Sequence, residues 1–442
     1  MFDPCMLKRI ATISCVLVGL SLWLFQAPKA VHASIRIEGE WLGDTQGQQF
    51  GPVTEYRLSP EKLKKSYVSY LTRGPFSVVL DVYLFGVFYL ILWRRWSVSC
   101  RDWIEESFET RFVQGLVLIP VACFLVWLLL APIGYLEQCF AAWAGSGSFD
   151  PIGFSLGWMV MFLFAAPLSL VSLWILYWFI RRSQRRWWFY LWLIFIPINA
   201  LEIYASPLII EPLISRSLPL AERHADFASQ LEDVALKGGL QIPPSRMYEM
   251  IALKKQGGPY GYATGLGSTR RIVIMDTSFR LLSNSQLLAV AAHELGHYAL
   301  HHRIKQFLFS TLLSLLTIYL GYRLANWLLR RWGERWEIRG LDDWAAMPLL
   351  CFVFCFFWFV TMPISNTYSR YLEHEADRYA LKIMAETAPN SGQIVAQAFQ
   401  VLGEDGLDYP FPNKFVVFWT MDHPPTGDRV RFALLYNPAG AH

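Results

Sequence analysis

Long apolar runs separated by short arginine-rich stretches make up most of the chain. Seven of them, at residues 10–25, 76–93, 112–130, 154–180, 187–204, 307–329 and 344–364, are near the length of about 20 mostly apolar residues that a membrane-crossing helix needs. Tryptophans and tyrosines gather at many of their ends, where an amphipathic ring settles between hydrocarbon and water. The pattern predicts a mainly α, multi-spanning helical membrane bundle of about seven spans. The first run has two readings. Lys8 and Arg9 ahead of it and Val31-His32-Ala33 behind it have the form of a signal peptide, while its length suits an uncleaved first helix.

Two stretches break the apolar pattern: a polar loop at 36–73 and a mixed region at 206–305. The second predicts a helix over 221–236, a strand over 246–251, a glycine-rich turn region over 257–267 and a strand over 271–275. An amphipathic helix follows, opened by Ser283 with Gln286 three residues on, which is capping-box spacing. Beyond the last span comes a helix over 366–385, then a loop-rich tail containing Asp422-His423-Pro424-Pro425. The chain thus divides into 1–33, the first helix or signal; 34–75, a polar loop; 76–205, membrane helices; 206–306, a mixed module; 307–365, the last two spans; and 366–442, which completes the module.

Charge sharpens this picture. Only 17% of residues are charged, against about 25% for an ordinary soluble protein. The net charge of +4 is too small to argue for nucleic acid and no basic stripe stands out, so no nucleic-acid partner is expected. The seven cysteines fall mostly inside apolar runs and show no CxxC pair and no disulfide framework, so they do not fix the redox compartment. Asp81, Glu202 and Arg323 are the notable ionisable residues in or near the spans, too few for the ion relay of a transporter. Arginines crowd the loops after the second, fourth and sixth runs, and by the positive-inside bias those loops face the cytoplasm, with 206–305 on the opposite side.

The run Ala292-His293-Glu294-Leu295-Gly296-His297 contains HExxH. Residues four apart on a helix share a face, so two imidazoles converge on one ion, and nitrogen ligands of this kind suit Zn²⁺. Glu294 is offset around the helix and reaches the attacking water rather than the metal, which is the general-base position. A catalytic zinc needs a third protein ligand and one open position. Ser369-Arg370-Tyr371-Leu372-Glu373-His374-Glu375-Ala376-Asp377 supplies the candidates. Glu373 and Asp377 share a face with Ala376 and Ala380 on or beside it, so small residues allow a close approach to the HExxH helix. Glu373 is then the ligand, Asp377 holds a ligand histidine through its other ring nitrogen, and His374 and Glu375 face solvent. A charge cluster of this sort is ordinarily a solvated helix face; the need for a third ligand outweighs that here. His301 and His302 lie near the membrane interface or the mouth of the site. His423, stiffened by two prolines, is a candidate donor to the oxyanion of a tetrahedral intermediate. An edge strand near 271–275, with Tyr262, Ala263 and Thr264 in the turn before it, would bind an extended peptide by strand addition.

Together HELGH at 293–297, SRYLEHEAD at 369–377, RRIVIMDT at 270–277 and HPPTGDR at 423–429 resemble the CAAX prenyl endopeptidase family of integral-membrane zinc metalloproteases, with HtpX-like heat-shock proteases as shorter cousins. The likeness is strongest over 209–431. It implies a zincin-like α+β protease module on a helical bundle enclosing a chamber. It implies one zinc completed by Glu373, support of a ligand histidine by Asp377, His423 near the scissile carbonyl and Arg429 near the site. Tyr260 and Gly261 stand where the family commonly has Asn-Ala. Eukaryotic members work from the cytosolic side, the reverse of the charge count, so the side of the active site stays open. The expected activity is zinc-dependent hydrolysis of a peptide or protein substrate, membrane-associated or lipidated, at the bilayer. The alternatives are HtpX-like quality control of membrane proteins and a non-catalytic zinc-containing scaffold.

Overall fold

The computed structural model describes residues 51–143, 150–205, 216–251, 261–265 and 269–436. Five of its helices are long and apolar enough to cross a membrane: Pro60–Trp93, Arg111–Phe140, Pro151–Arg182, His302–Trp336 and Trp344–Ala385. Trp187–Leu201 is a shorter apolar helix. The expected first span at 10–25 lies outside the described residues. Leu156, Leu163, Trp178 and Phe354 are each more than 60% exposed on these helices. Such outward apolar surface suits hydrocarbon, which removes the driving force that buries it in a soluble protein.

The chain forms two compact units. One comprises residues 71–193 and 314–361, and a buried polar clamp ties its parts together. Arg101 donates to Asp343 at 2.9 Å, and Arg339 donates to both Asp343 and Glu105. Tyr177 and Trp344, both fully buried, pack with ring centroids 4.6 Å apart.

The other unit draws its described residues from 51–70, 194–313 and 362–436. Four strands, β1 (Arg216–Pro219), β2 (Met247–Ile251), β3 (Gly261–Thr264) and β4 (Arg271–Met275), form a sheet in the order β1-β2-β4-β3. Strands β2 and β4 run parallel, and the two outer pairs are antiparallel. Ile272, Val273 and Ile274 are all buried, as an interior strand covered on both faces requires. This corrects the expected edge: β4 is interior, and the edge strand beside it is β3, in the segment read as a turn. Tyr262 pairs with Val273 and Ala263 with Ile272. Gly265 leaves β3 at φ +86°, where a Cβ would meet the Thr269 carbonyl at 2.2 Å.

Three further expectations need correction. The helix over 221–236 is two, Leu220–Arg223 and Ala225–Lys237, broken at His224. The helix over 366–385 is the end of one 39-residue helix, Met347–Ala385, which continues through Pro363. The polar loop expected over 36–73 is helical from Pro60 onward. In the last two cases helical hydrogen bonding extends beyond the apolar pattern, because a short polar stretch does not by itself break a helix.

Candidate metal centre

The HExxH motif lies on the helix Asn284–Ala299. Its capping box is formed in both directions: Gln286 N–H donates to Ser283 Oγ at 3.3 Å, and Ser283 N–H donates to Gln286 Oε1 at 3.0 Å. Leu287, Ala292 and Leu295 bury the far side of this helix in the core of the unit. Tyr298 ties its end to the sheet by donating to the Thr264 and Arg271 carbonyls. Gly296 sets the approach to the helix Met347–Ala385. A Cβ there would stand 3.2 Å from Ala376 Cα and 3.3 Å from its carbonyl oxygen. The two backbones come this close because both positions are small.

That approach brings three side chains together. His293 Nε2 and His297 Nε2 are 3.3 Å apart. Glu373 Oε2 is 3.2 Å from the first, and Glu373 Oε1 is 3.5 Å from the second. Ligands held roughly 2.0–2.1 Å from a tetrahedral zinc stand about 3.3–3.4 Å apart, so this triangle of two imidazoles and one carboxylate, each histidine facing a different oxygen, is of the size that zinc requires. Glu373 Oε2 is buried and accepts no hydrogen bond, and two imidazole nitrogens face each other with it. A cation satisfies all three lone pairs at once, so this donor set fits a metal.

Behind the triangle, Asp377 is 1% exposed and its Oδ1 lies 2.8 Å from His293 Nδ1. Arg429 grips the same carboxylate with two hydrogen bonds, at 2.6 and 2.9 Å, and its guanidinium lies over the Phe399 ring. Burial opposes charge on His293, but the adjoining carboxylates of Asp377 and Glu373 outweigh it and raise its pKa to about 10. Burial and the neighbouring His293 push His297 down to about 3. The two imidazoles are thus pushed in opposite directions, His293 toward its charged form and His297 toward its neutral one.

Glu294 accepts from the Ala263 backbone N–H at 3.3 Å, and Arg303 donates to the Ala263 carbonyl at 3.2 Å. Both backbone groups of Ala263, on the edge strand, thus meet side chains near the metal ligands. Burial raises the Glu294 pKa, which favours a carboxyl able to hold a proton. His423 is half exposed, with Nε2 3.6 Å from Glu373 Oε1 and Nδ1 2.9 Å from Asp422 Oδ1. The Asp422 hydrogen bond, against burial, raises its pKa.

The loop carrying His423 is held by residues the sequence reading passed over. Arg370 donates to the Val417 and Met421 carbonyls, and Asn366 donates to the Trp419 carbonyl at 2.7 Å. The signal was present: Asn366, Arg370, Glu373 and Asp377 recur at four, three and four residues, one face of a helix. His302, expected at the membrane interface or mouth, is instead buried behind His297, with ring nitrogens 3.0 Å apart. Glu375, expected in solvent, binds Tyr371, Lys305 and His302. His374 packs against Phe432.

The sequence profile of peptidase family M48 matches residues 221–435, which holds every residue of this centre. A second profile, the CAAX prenyl protease N-terminal region of five membrane helices, matches residues 46–216. Over residues 221–435 the chain belongs to the M48 peptidase family. It is an integral, multi-pass membrane metalloprotease, and the family implies a metal, generally zinc. The chain is 27% identical over 356 residues to an uncharacterised metalloprotease, YhfN, of Bacillus subtilis, an alignment spanning 80% of this chain and 81% of the relative. It is 28% identical over 234 residues to a CAAX prenyl protease 1 homologue of Dictyostelium discoideum, spanning 51% of each chain. The human CAAX prenyl protease 1 homologue is 22% identical over 286 residues, 55% of this chain and 57% of that one. The crystal structure of S. mikatae Ste24p superposes with a TM-score of 0.67 at 19% identity, covering 88% of this chain and 93% of that one, which establishes a shared fold.

Proposed function

We propose that the chain is a zinc endopeptidase with one Zn²⁺ held by His293 Nε2, His297 Nε2 and Glu373. The observation that carries this is the triangle of 3.2, 3.3 and 3.5 Å with a buried carboxylate oxygen left without a hydrogen bond. Bound zinc would supply Lewis acidity toward the scissile carbonyl and lower the pKa of the attacking water. Glu294, its pKa raised by burial, is the general base: it takes a proton from that water and later gives one to the leaving amine. His423, whose contact with Asp422 favours the protonated ring, donates Nε2–H to the oxyanion. Asp377, backed by Arg429, accepts from His293 Nδ1 and keeps Nε2 turned to the metal. The backbone of Tyr262, Ala263 and Thr264 aligns the peptide by strand addition, with the Ala263 N–H passing from Glu294 to the substrate carbonyl.

The substrate we assign is a peptide presented at the membrane, of the CAAX type named in several relatives. Purified full-length protein in detergent is assayed against a farnesylated C-terminal peptide, its unprenylated twin and casein, beside Glu294→Gln, with metal content measured on both. Cleavage by wild type alone, with about one zinc in each protein, is the expected result. Zinc absent from freshly purified wild type overturns the ligand assignment. Cleavage of casein in preference to the farnesylated peptide moves the assignment to quality control, and zinc without any cleavage moves it to a scaffold.

A further inference from the structure

We propose that His302 is a positioning residue of the metal centre, holding His297 in the tautomer that turns Nε2 toward the metal, with Glu375 orienting His302 in turn. This rests on the ligand assignment above. His302 is 3% exposed, and its Nδ1 lies 3.0 Å from His297 Nδ1. Two ring nitrogens at that distance share one proton, so one donates and the other accepts. His297 Nε2 faces His293 Nε2 and Glu373, so it is the nitrogen left for the metal. A neutral imidazole that ligates through Nε2 carries its proton on Nδ1. That proton points at His302 Nδ1, which must then be a lone pair, and the His302 proton sits on Nε2. Glu375 Oε2 lies 3.4 Å from this nitrogen, where it faces the Nε2–H at the long end of hydrogen-bond range. Glu375 is itself anchored by Tyr371 Oη at 3.0 Å and Lys305 Nζ at 3.3 Å.

The backbone is shaped for this contact. The HExxH helix stops at Ala299, His301 takes φ +57°, and a new helix starts at His302. In an unbroken helix a residue five positions on stands roughly 140° round the axis, facing away. The left-handed residue turns the chain so that the His302 ring meets His297. Non-glycine residues hold such a conformation where the surroundings impose it, and they concentrate at functional sites. The two ligand histidines are thus supported differently, His293 by a buried carboxylate and His297 by a neutral imidazole.

The test is zinc affinity of the full-length protein in detergent, by competition with a chromophoric chelator, together with the visible spectrum of the cobalt(II) form. His302→Ala is expected to bind zinc 10–100-fold more weakly and to shift the cobalt bands. His302→Asn, whose amide oxygen takes the position of Nδ1 as acceptor, is expected to recover most of the affinity. Glu375→Gln should fall between wild type and His302→Ala. Wild-type affinity and an unshifted cobalt spectrum in His302→Ala would overturn the proposal, as would His302→Asn binding no better than the alanine variant. If His302→Ala does not fold, wild-type affinity in Glu375→Gln overturns it. Wild-type protein that binds no zinc defeats the ligand assignment instead, so the two failures are distinct.

Discussion

Gly296→Ala tests whether the closeness of two helices sets the metal site. The added Cβ would lie 3.2 Å from Ala376 Cα and 3.3 Å from its carbonyl oxygen, both backbone atoms that cannot swing aside. Ordinary contact is 3.4–4 Å, so the helices must part by about 0.2–0.8 Å. Tyr379, 3.1 Å away, can yield by rotating its ring; Ala376 cannot. Glu373 is three residues before Ala376 on the same helix, so its carboxylate retreats from both histidines. Zinc bond lengths tolerate only about 0.2 Å, so the site cannot absorb most of that range. Overpacking costs about 1–3 kcal/mol, while replacing a helical glycine gains about 1 kcal/mol. Net stability therefore falls by about 0–2 kcal/mol, and metal affinity falls by about tenfold or more, or 1.4 kcal/mol. Zinc affinity by chelator competition, beside thermal unfolding of the metal-free protein, measures both. Unchanged zinc affinity in a folded variant would refute the reasoning.

Other consequences follow from the same geometry. Asp377→Asn leaves the Arg429 guanidinium without its paired carboxylate and His293 without its charged acceptor; about 3–5 kcal/mol of stability and 10–100-fold in zinc affinity should be lost, as read by denaturant unfolding and chelator competition. Because the His293 pKa is raised to about 10, metal-free protein carries a proton there at neutral pH that zinc must displace. Affinity should rise roughly tenfold per pH unit up to that pKa, and calorimetry in two buffers of different ionisation enthalpy should count about one proton released; none released would contradict it. Arg370→Ala frees the loop carrying His423 from two carbonyl contacts, so kcat should fall by 10-fold or more while zinc content stays at wild type; loss of zinc would show that the residue supports the ligands instead.

Much of this protein is written locally. The spans follow from apolar length, the HExxH helix begins at the Ser283 cap that its spacing predicts, and His293 and His297 share a face because four residues make about one turn. The i, i+4 step from Glu373 to Asp377, with Ala376 beside it, pointed to the face that meets the HExxH helix. Periodicity carries such information because it constrains residues on one element. It carries none about β3, whose four residues become an edge strand only through pairing with β4. Nor could it find the His297–His302 contact: a helical pattern assumes an unbroken helix, and the left-handed turn at His301 breaks it. Glu375 is likewise unreadable, since its partners Lys305 and His302 are some seventy residues away in sequence. Sequence determined the elements and the faces they present, while tertiary packing decided which buried groups meet behind the ligands, because those contacts join residues that no local rule connects.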